Sequence, residues 1–148
     1  MRTVVQRVKS ARVIVEGVVR GQIAKGYLLF VGFQSGDTEE TVARMADKIL
    51  KLRIFSDDNA KMNLALTEVQ GAILSVSQFT LYGNVKGGRR PSFSRSASAE
   101  DANKLYEYFN TCLKSNGTIV ETGVFQAEME VELCNDGPVT ILLDSEDC

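Results

Sequence analysis

The run Tyr27-Leu28-Leu29-Phe30-Val31-Gly32-Phe33 constrains the fold more than any other stretch of this chain. It is apolar from end to end and is opened by Gly26. It has neither the 3.6-residue period of a surface helix nor the alternation of a half-exposed strand. Such a run suits a strand buried on both faces, so the rest of the chain must cover two sides of one sheet. A second segment makes the same demand: Ala72, Ile73, Leu74 and Val76 follow Gly71 and read as another buried strand.

Two segments carry the helical period. Val42, Met45, Ala46 and Ile49 recur at i, i+3, i+4 and i+7, with Asp37 as the expected cap and Glu40 as its capping-box partner. Ser98 and Asp101 open a second helix whose stripe is Ala102, Leu105, Tyr106, Phe109, Cys112 and Leu113, with Lys114 in its last turn and Gly117 as its stop. Residues 3–8, 12–16, 18–23 and 52–55 read as strands, with tight turns at Glu16-Gly17 and Asp57-Asp58-Asn59. Met62, Leu64 and Leu66 alternate, residues 118–121 form a strand, and Met129, Val131 and Leu133 alternate with glutamates. Residues 139–143 close the fold as a buried strand, before a polar tail at about 145–148. The expected fold class is α/β: a layered α/β/β domain with mixed, largely antiparallel sheets and two main helices, a single domain over residues 1–148.

Composition narrows the chemistry. There is no histidine, which removes Ser-His-Asp and Cys-His triads and every histidine-based metal site. Catalysis must then rest on carboxylate, hydroxyl, lysine or backbone groups, or on a group of the substrate. Cys112, Cys134 and Cys148 form no CxxC pair, so no zinc site, no metal and no disulfide framework is expected, and a reducing, cytoplasmic setting is. No apolar run reaches the ~18–20 residues of a membrane span, and the start of the chain lacks the pattern of a signal peptide. The net charge of −2 argues neither for nor against nucleic acid, but Lys86, Arg89, Arg90 and Arg95 cluster with no acid among them.

Three stretches are candidate sites. Ser77, Gln78 and Thr80 place two hydroxyls and an amide around Phe79 at the end of an apolar strand, where they either bond back to the backbone or face a ligand. Lys86-Gly87-Gly88-Arg89-Arg90-Pro91-Ser92-Phe93 combines glycines, cations and an aromatic, which fits phosphate and base contacts as well as a plain solvated hairpin loop. Gly137-Pro138 follows Asn135-Asp136 and exposes two carbonyls with no side chain on the glycine to shield them; only ~5–6% of X–Pro bonds are cis, so a trans turn is the default. Glu128, Glu130 and Glu132 share one face of a strand with no complementary ligand residues, and read as a solvated face.

Ser77-Gln78-Phe79-Thr80-Leu81-Tyr82 together with Asn135-Asp136-Gly137-Pro138-Val139-Thr140 resembles the paired signature of the D-aminoacyl-tRNA deacylases, the D-tyrosyl-tRNA deacylase family. The similarity runs nearly end to end and includes Val5-Gln6-Arg7-Val8, Leu52-Arg53-Ile54-Phe55 and Lys61-Met62-Asn63. The resemblance implies a homodimer with each active site at the interface, acting on aminoacyl-tRNA with no cofactor, no DNA and no membrane. It assigns Ser77, Gln78, Phe79 and Thr80 to the pocket for the aminoacylated terminal adenosine. Gly137 and Pro138 become a cis Gly-Pro motif that reaches into the partner's pocket and excludes an L side chain, and Arg7 helps to hold it. Phe125 and Met129 match a further substrate-binding segment, while Lys86, Arg89 and Arg90 are the expected RNA contacts. The sequence departs from the family pattern at Gln126, Glu128, Gly87 and Arg89, and the tail after Asp144 has no counterpart in it.

With no base for a hydroxyl nucleophile, backbone N–H groups near Phe79 and Thr80 and the substrate's free ribose hydroxyl are the expected agents of hydrolysis. Glycyl-tRNA is an expected second substrate. Two alternatives stand: Thr80 as a covalent nucleophile, and a non-catalytic module that only grips the tRNA 3′ end.

Overall fold

The computed structural model describes residues 1–148. The sheet is built on β1 (Arg2–Val15). β2 (Val18–Ile23) folds back onto its second half through Glu16 and Gly17, whose φ angles of 51° and 76° give the hairpin turn that matches strand twist. β3 (Gly26–Gly32) pairs antiparallel with its first half. α1 (Glu39–Leu50) and a small hairpin of β4 (Phe55–Ser56) and β5 (Met62–Leu64) lead to β6 (Ala72–Ser77), which lies parallel to β3. α2 (Ala99–Lys114) then crosses to β7 (Val120–Thr122), parallel to β6. Finally β8 (Glu130–Asp144) runs antiparallel to β1 over nearly its whole length. The sheet order is β2-β1-β3-β6-β7, with β8 on β1. The sheet curls into a barrel-like form: a Cβ on Gly21 of β2 would lie 2.7 Å from Thr122 O of β7 and 3.1 Å from Leu74 Cδ1 of β6.

The apolar run in β3 has two destinations. Tyr27, Leu29 and Val31, with Ile73 of β6, join Met45 and Ile49 of α1 and Phe109 and Leu113 of α2 in one core. Leu28, Leu74 and Val76 enter a second core with Val8, Ala11, Val13 and Ile23 from the curled strands. Alternate residues of one strand thus serve opposite faces, which leaves no position for a polar side chain. No helix is long and apolar enough to cross a membrane.

Several local expectations change. Residues 3–8 and 12–15 belong to one strand, and Glu16 is already in the turn; Lys9 and Ser10 break the apolar alternation, yet produce only register irregularities against β8. Thr38, not Asp37, caps α1, its Oγ1 accepting from Thr41 N–H at 3.3 Å. Asp37 is taken by the Met1 ammonium at 2.8 Å and the Gln34 N–H at 2.8 Å. In residues 52–55 only Phe55 is in a strand, because Leu52 O accepts from the Tyr27 hydroxyl and Ile54 O from Arg7. The strand expected at 118–121 is Val120–Thr122. Residues 139–143 are the end of β8 and are covered on one side only: Val139 and Leu143 are buried, while Leu142 is 64% exposed. α2 begins as read, with Ser98 Oγ accepting from Asp101 N–H at 3.1 Å.

The polar tail is folded back onto the chain. Ser145 N–H donates to Met1 O at 2.9 Å, and Glu146 N–H to Asp144 Oδ1 at 3.1 Å. Arg2 Nε donates to Asp144 Oδ2 at 2.7 Å. Burial alone would raise the Asp144 carboxyl; the Arg2 hydrogen bond, the Glu146 N–H and the positive charges of Arg2 and the chain's amino group outweigh it and hold it below the usual range. A carboxyl lowered in the folded state stabilises above its unfolded value of about 3.9, and that contribution is lost as pH falls through the folded value. Asp144→Asn is therefore expected to cost on the order of 1 kcal/mol near neutral pH and to flatten the loss of stability below about pH 4. Chemical denaturation of both proteins at neutral and acid pH checks it; an equal decline in the two would rule the pair out.

Candidate active site

β6 ends at Ser77 and the chain turns at once into a single 3-10 turn, Phe79–Tyr82. The turn is pressed against the end of β3: Gln78 N–H donates to Val31 O at 2.7 Å, and a Cβ on Gly32 would meet Gln78 O at 2.8 Å. Glycine is needed there because two backbones touch. The first bond of the turn runs from Leu81 N–H to Gln78 O at 3.3 Å, so the N–H groups of Phe79 and Thr80 lie outside its ladder. Gln78 Nε2 donates to Thr80 Oγ1.

Beside this turn lies a cavity of about 570 Å³. Ser77, Gln78 and Phe79 form one wall, and Phe125, Ala127 and Met129 another. The third comes from Ser96, Ala97, Ala99 and Ala102 at the start of α2, which the sequence reading left out. Their signal is smallness: Ser94-Arg95-Ser96-Ala97-Ser98-Ala99 has one large side chain, and small ones leave room in front of a sheet end. Tyr106 of α2 braces two walls. Its hydroxyl donates to Ser75 O at 2.7 Å, its ring lies 6.0 Å from that of Phe125, and burial pushes its phenol up from the ordinary value. None of the 16 lining residues carries an ionisable side chain. The cavity is polar through a hydroxyl pair, amides and backbone, and otherwise apolar.

Phe79 is 58% exposed, and its ring packs edge-to-face with that of Phe93, their centres 5.0 Å apart. That contact sets the basic loop beside the cavity, its base closed by paired bonds between Asn84 and Ser92. Lys86, Arg89 and Arg90 are all exposed on it. Thr80, Arg7, Gly137 and Pro138 do not line the cavity. The Gly137–Pro138 peptide is cis and exposed on β8. Arg7, buried beneath, donates from Nε to Asp136 O at 2.9 Å and from Nη1 to Ile54 O at 2.5 Å. Gly137 has φ 141°, and a Cβ there would lie 2.7 Å from Val139 Cγ2. Glu128, Glu130 and Glu132 are exposed, as read, and Glu132 pairs with Arg12 at 2.7 Å.

A family model described as D-Tyr-tRNA(Tyr) deacylase matches residues 4–144. The chain belongs to this deacylase family. It is 58% identical over 144 residues to a D-aminoacyl-tRNA deacylase of Exiguobacterium sibiricum, covering 97% of this chain and 99% of that one. A solved structure described as the c-Myc DNA Unwinding Element Binding Protein is 37% identical, with a TM-score of 0.92 over 97% of this chain and 98% of that one. A second, described as a probable eukaryotic D-amino acid tRNA deacylase, shares the fold with a TM-score of 0.80 at 21% identity, over 96% and 97% of the two chains. The deacylase family is a family of hydrolases, as the motifs around Ser77 and Gly137 implied, and the mixed sheet with two helices is its fold.

Proposed function

We propose that the protein hydrolyses the ester bond of D-aminoacyl-tRNA, releasing the free D-amino acid and tRNA, as a cytoplasmic homodimer without a cofactor. The observation that carries the reading is a cavity with no ionisable lining, beside an exposed aromatic and an exposed basic loop. An aminoacyl ester is already an activated acyl group, so placing it needs little side-chain chemistry. Phe79 offers a face for the terminal adenine, and Lys86, Arg89 and Arg90 offer phosphate contacts. The Phe79 and Thr80 amides serve as oxyanion donors, and the neighbouring ribose hydroxyl helps to activate water. The reaction requires RNA, and neither DNA nor a membrane has a part in it.

Chirality is assigned to Gly137-Pro138 of the partner, whose carbonyls would enter the cavity and strike an L side chain. Two features support this. The motif is exposed and anchored from below by Arg7, and the strand carrying it presents Leu142 to solvent at 64% exposure. Purified protein incubated with D-tyrosyl-tRNA and L-tyrosyl-tRNA is expected to release D-tyrosine alone. Turnover of neither favours the binding module, and equal turnover of both sinks the exclusion of L substrates.

A further inference from the structure

We propose that Arg95, in the segment that joins the basic loop to the cavity wall, is a further phosphate-binding residue, and that Glu146 occupies it in the RNA-free protein. The proposal rests on the RNA reading of the neighbouring basic loop. Arg95 lies in the chain between that loop and a wall of the cavity: Phe93 before it packs on Phe79, and Ser96 after it lines the wall, while its own side chain stands outside the lining. Its carbonyl accepts from Ser35 N–H at 3.0 Å, and its guanidinium sits 5.8 Å from the centre of the Tyr82 ring. Lys86, Arg89 and Arg90 form no ion pair within the chain. Arg95 does: its Nη2 donates to Glu146 Oε1 at 3.0 Å and to Gln34 Oε1 at 2.7 Å. Gln34 Nε2 donates to the same carboxylate oxygen at 3.2 Å. The acid comes from the tail, beyond the residues 4–144 that the family model matches.

The arrangement aims the guanidinium without exhausting it. Both contacts use Nη2, which leaves Nη1 and Nε without an acceptor from the chain. A guanidinium has five N–H donors and suits two-pronged phosphate binding. The side chains of Arg95 and Glu146 are 51% and 58% exposed, so the pair is weak enough for a phosphate to displace. Displacement has a signature in affinity, and the phosphate contact has one in salt. A phosphate that pairs with a free cation releases its counterion, and each such contact adds about 0.7–0.9 to the salt slope of binding. The freed Glu146 carboxylate is a single exposed charge with no condensed counterion to regain, so evicting it lowers the affinity and leaves that increment in place.

The test is the affinity for deacylated tRNA over a range of salt, for the parent, Glu146→Gln, Arg95→Gln, the double variant, and a variant with Lys86, Arg89 and Arg90 changed to Ala. Glu146→Gln is expected to bind up to about fivefold tighter at low salt, the ceiling for an exposed pair, with little change in slope. Arg95→Gln in the same chain should cancel the gain and lower the slope by about 0.7–0.9. Unchanged or weaker binding by Glu146→Gln overturns the proposal. If that comes with weakened binding by the three-alanine variant, the RNA reading of the loop survives it. If the three-alanine variant binds like the parent as well, that reading falls too. A gain with Glu146→Gln that persists in the double variant also overturns the proposal, because the gain then does not pass through Arg95.

Discussion

Replacing the free hydroxyl of the substrate's terminal ribose by hydrogen is expected to slow deacylation by about 10²–10⁴, the range of a lost acid–base group, while Thr80→Ala stays within about tenfold of the parent. The chain has no histidine, and none of the residues lining the cavity can take a proton near neutral pH. A hydroxyl is a poor nucleophile without a neighbouring base. The Thr80 hydroxyl has the Gln78 amide for a neighbour, which donates to it and so cannot serve as that base. Backbone amides at Phe79 and Thr80 survive any side-chain replacement, whereas the ribose hydroxyl is lost with one atom of the substrate. With no ionisable group among them, the cavity walls are expected to produce no bell-shaped pH profile. Single-turnover rates with tRNA ending in the ordinary and the deoxy nucleotide decide the matter. An acyl-enzyme trapped on Thr80, or a loss of many thousandfold in Thr80→Ala, would establish the covalent route instead.

The parts of the fold legible in the sequence are those fixed by local pattern. The run from Tyr27 announces a strand between two cores, and Ser98 announces the start of α2, because one period or one capping oxygen suffices to specify each. What escaped depends on distant partners. Asp37 has the right chemistry for a cap, but the Met1 ammonium claims it, and a charge at the far end of a folded strand leaves no trace in the local sequence. Residues 139–143 read as buried from their apolar side chains, which do not tell which face of the strand the rest of the chain covers. Glu146 reads as part of a solvated tail until Arg95 and Gln34 are brought to it. The cavity was half legible for the same reason. The polar interruption at Ser77 and Gln78 is visible in sequence, whereas the wall of Ala97, Ala99 and Ala102 looks like ordinary helix start.

Glycyl-tRNA is expected to be hydrolysed at a rate comparable to D-alanyl-tRNA, and at least about a hundredfold faster than L-alanyl-tRNA. If selectivity comes from the Gly137-Pro138 carbonyls striking an L side chain, the site rejects only what clashes. Glycine carries hydrogen at both positions on its α-carbon, so neither orientation meets the carbonyls. Filtering it by lost packing would require the cavity to hold the D methyl group tightly, and one methyl group is worth only about 1–3 kcal/mol in an apolar pocket. The cavity, about 570 Å³ and lined in part by Ala97, Ala99, Ala102, Phe125 and Met129, is far larger than a methyl group. Gly137→Ala gives the complementary result. A Cβ there would lie 2.7 Å from Val139 Cγ2 and 3.2 Å from Arg7 Nη2, at a φ of 141° that L residues rarely adopt, so the motif must shift. Discrimination against L-alanyl-tRNA should then fall while glycyl-tRNA hydrolysis persists. The measurement is deacylation of the three aminoacyl-tRNAs at equal enzyme concentration, by the parent and by Gly137→Ala. Should glycyl-tRNA prove as resistant as L-alanyl-tRNA, the cavity reads the D side chain by holding it, and exclusion is the wrong account of its selectivity.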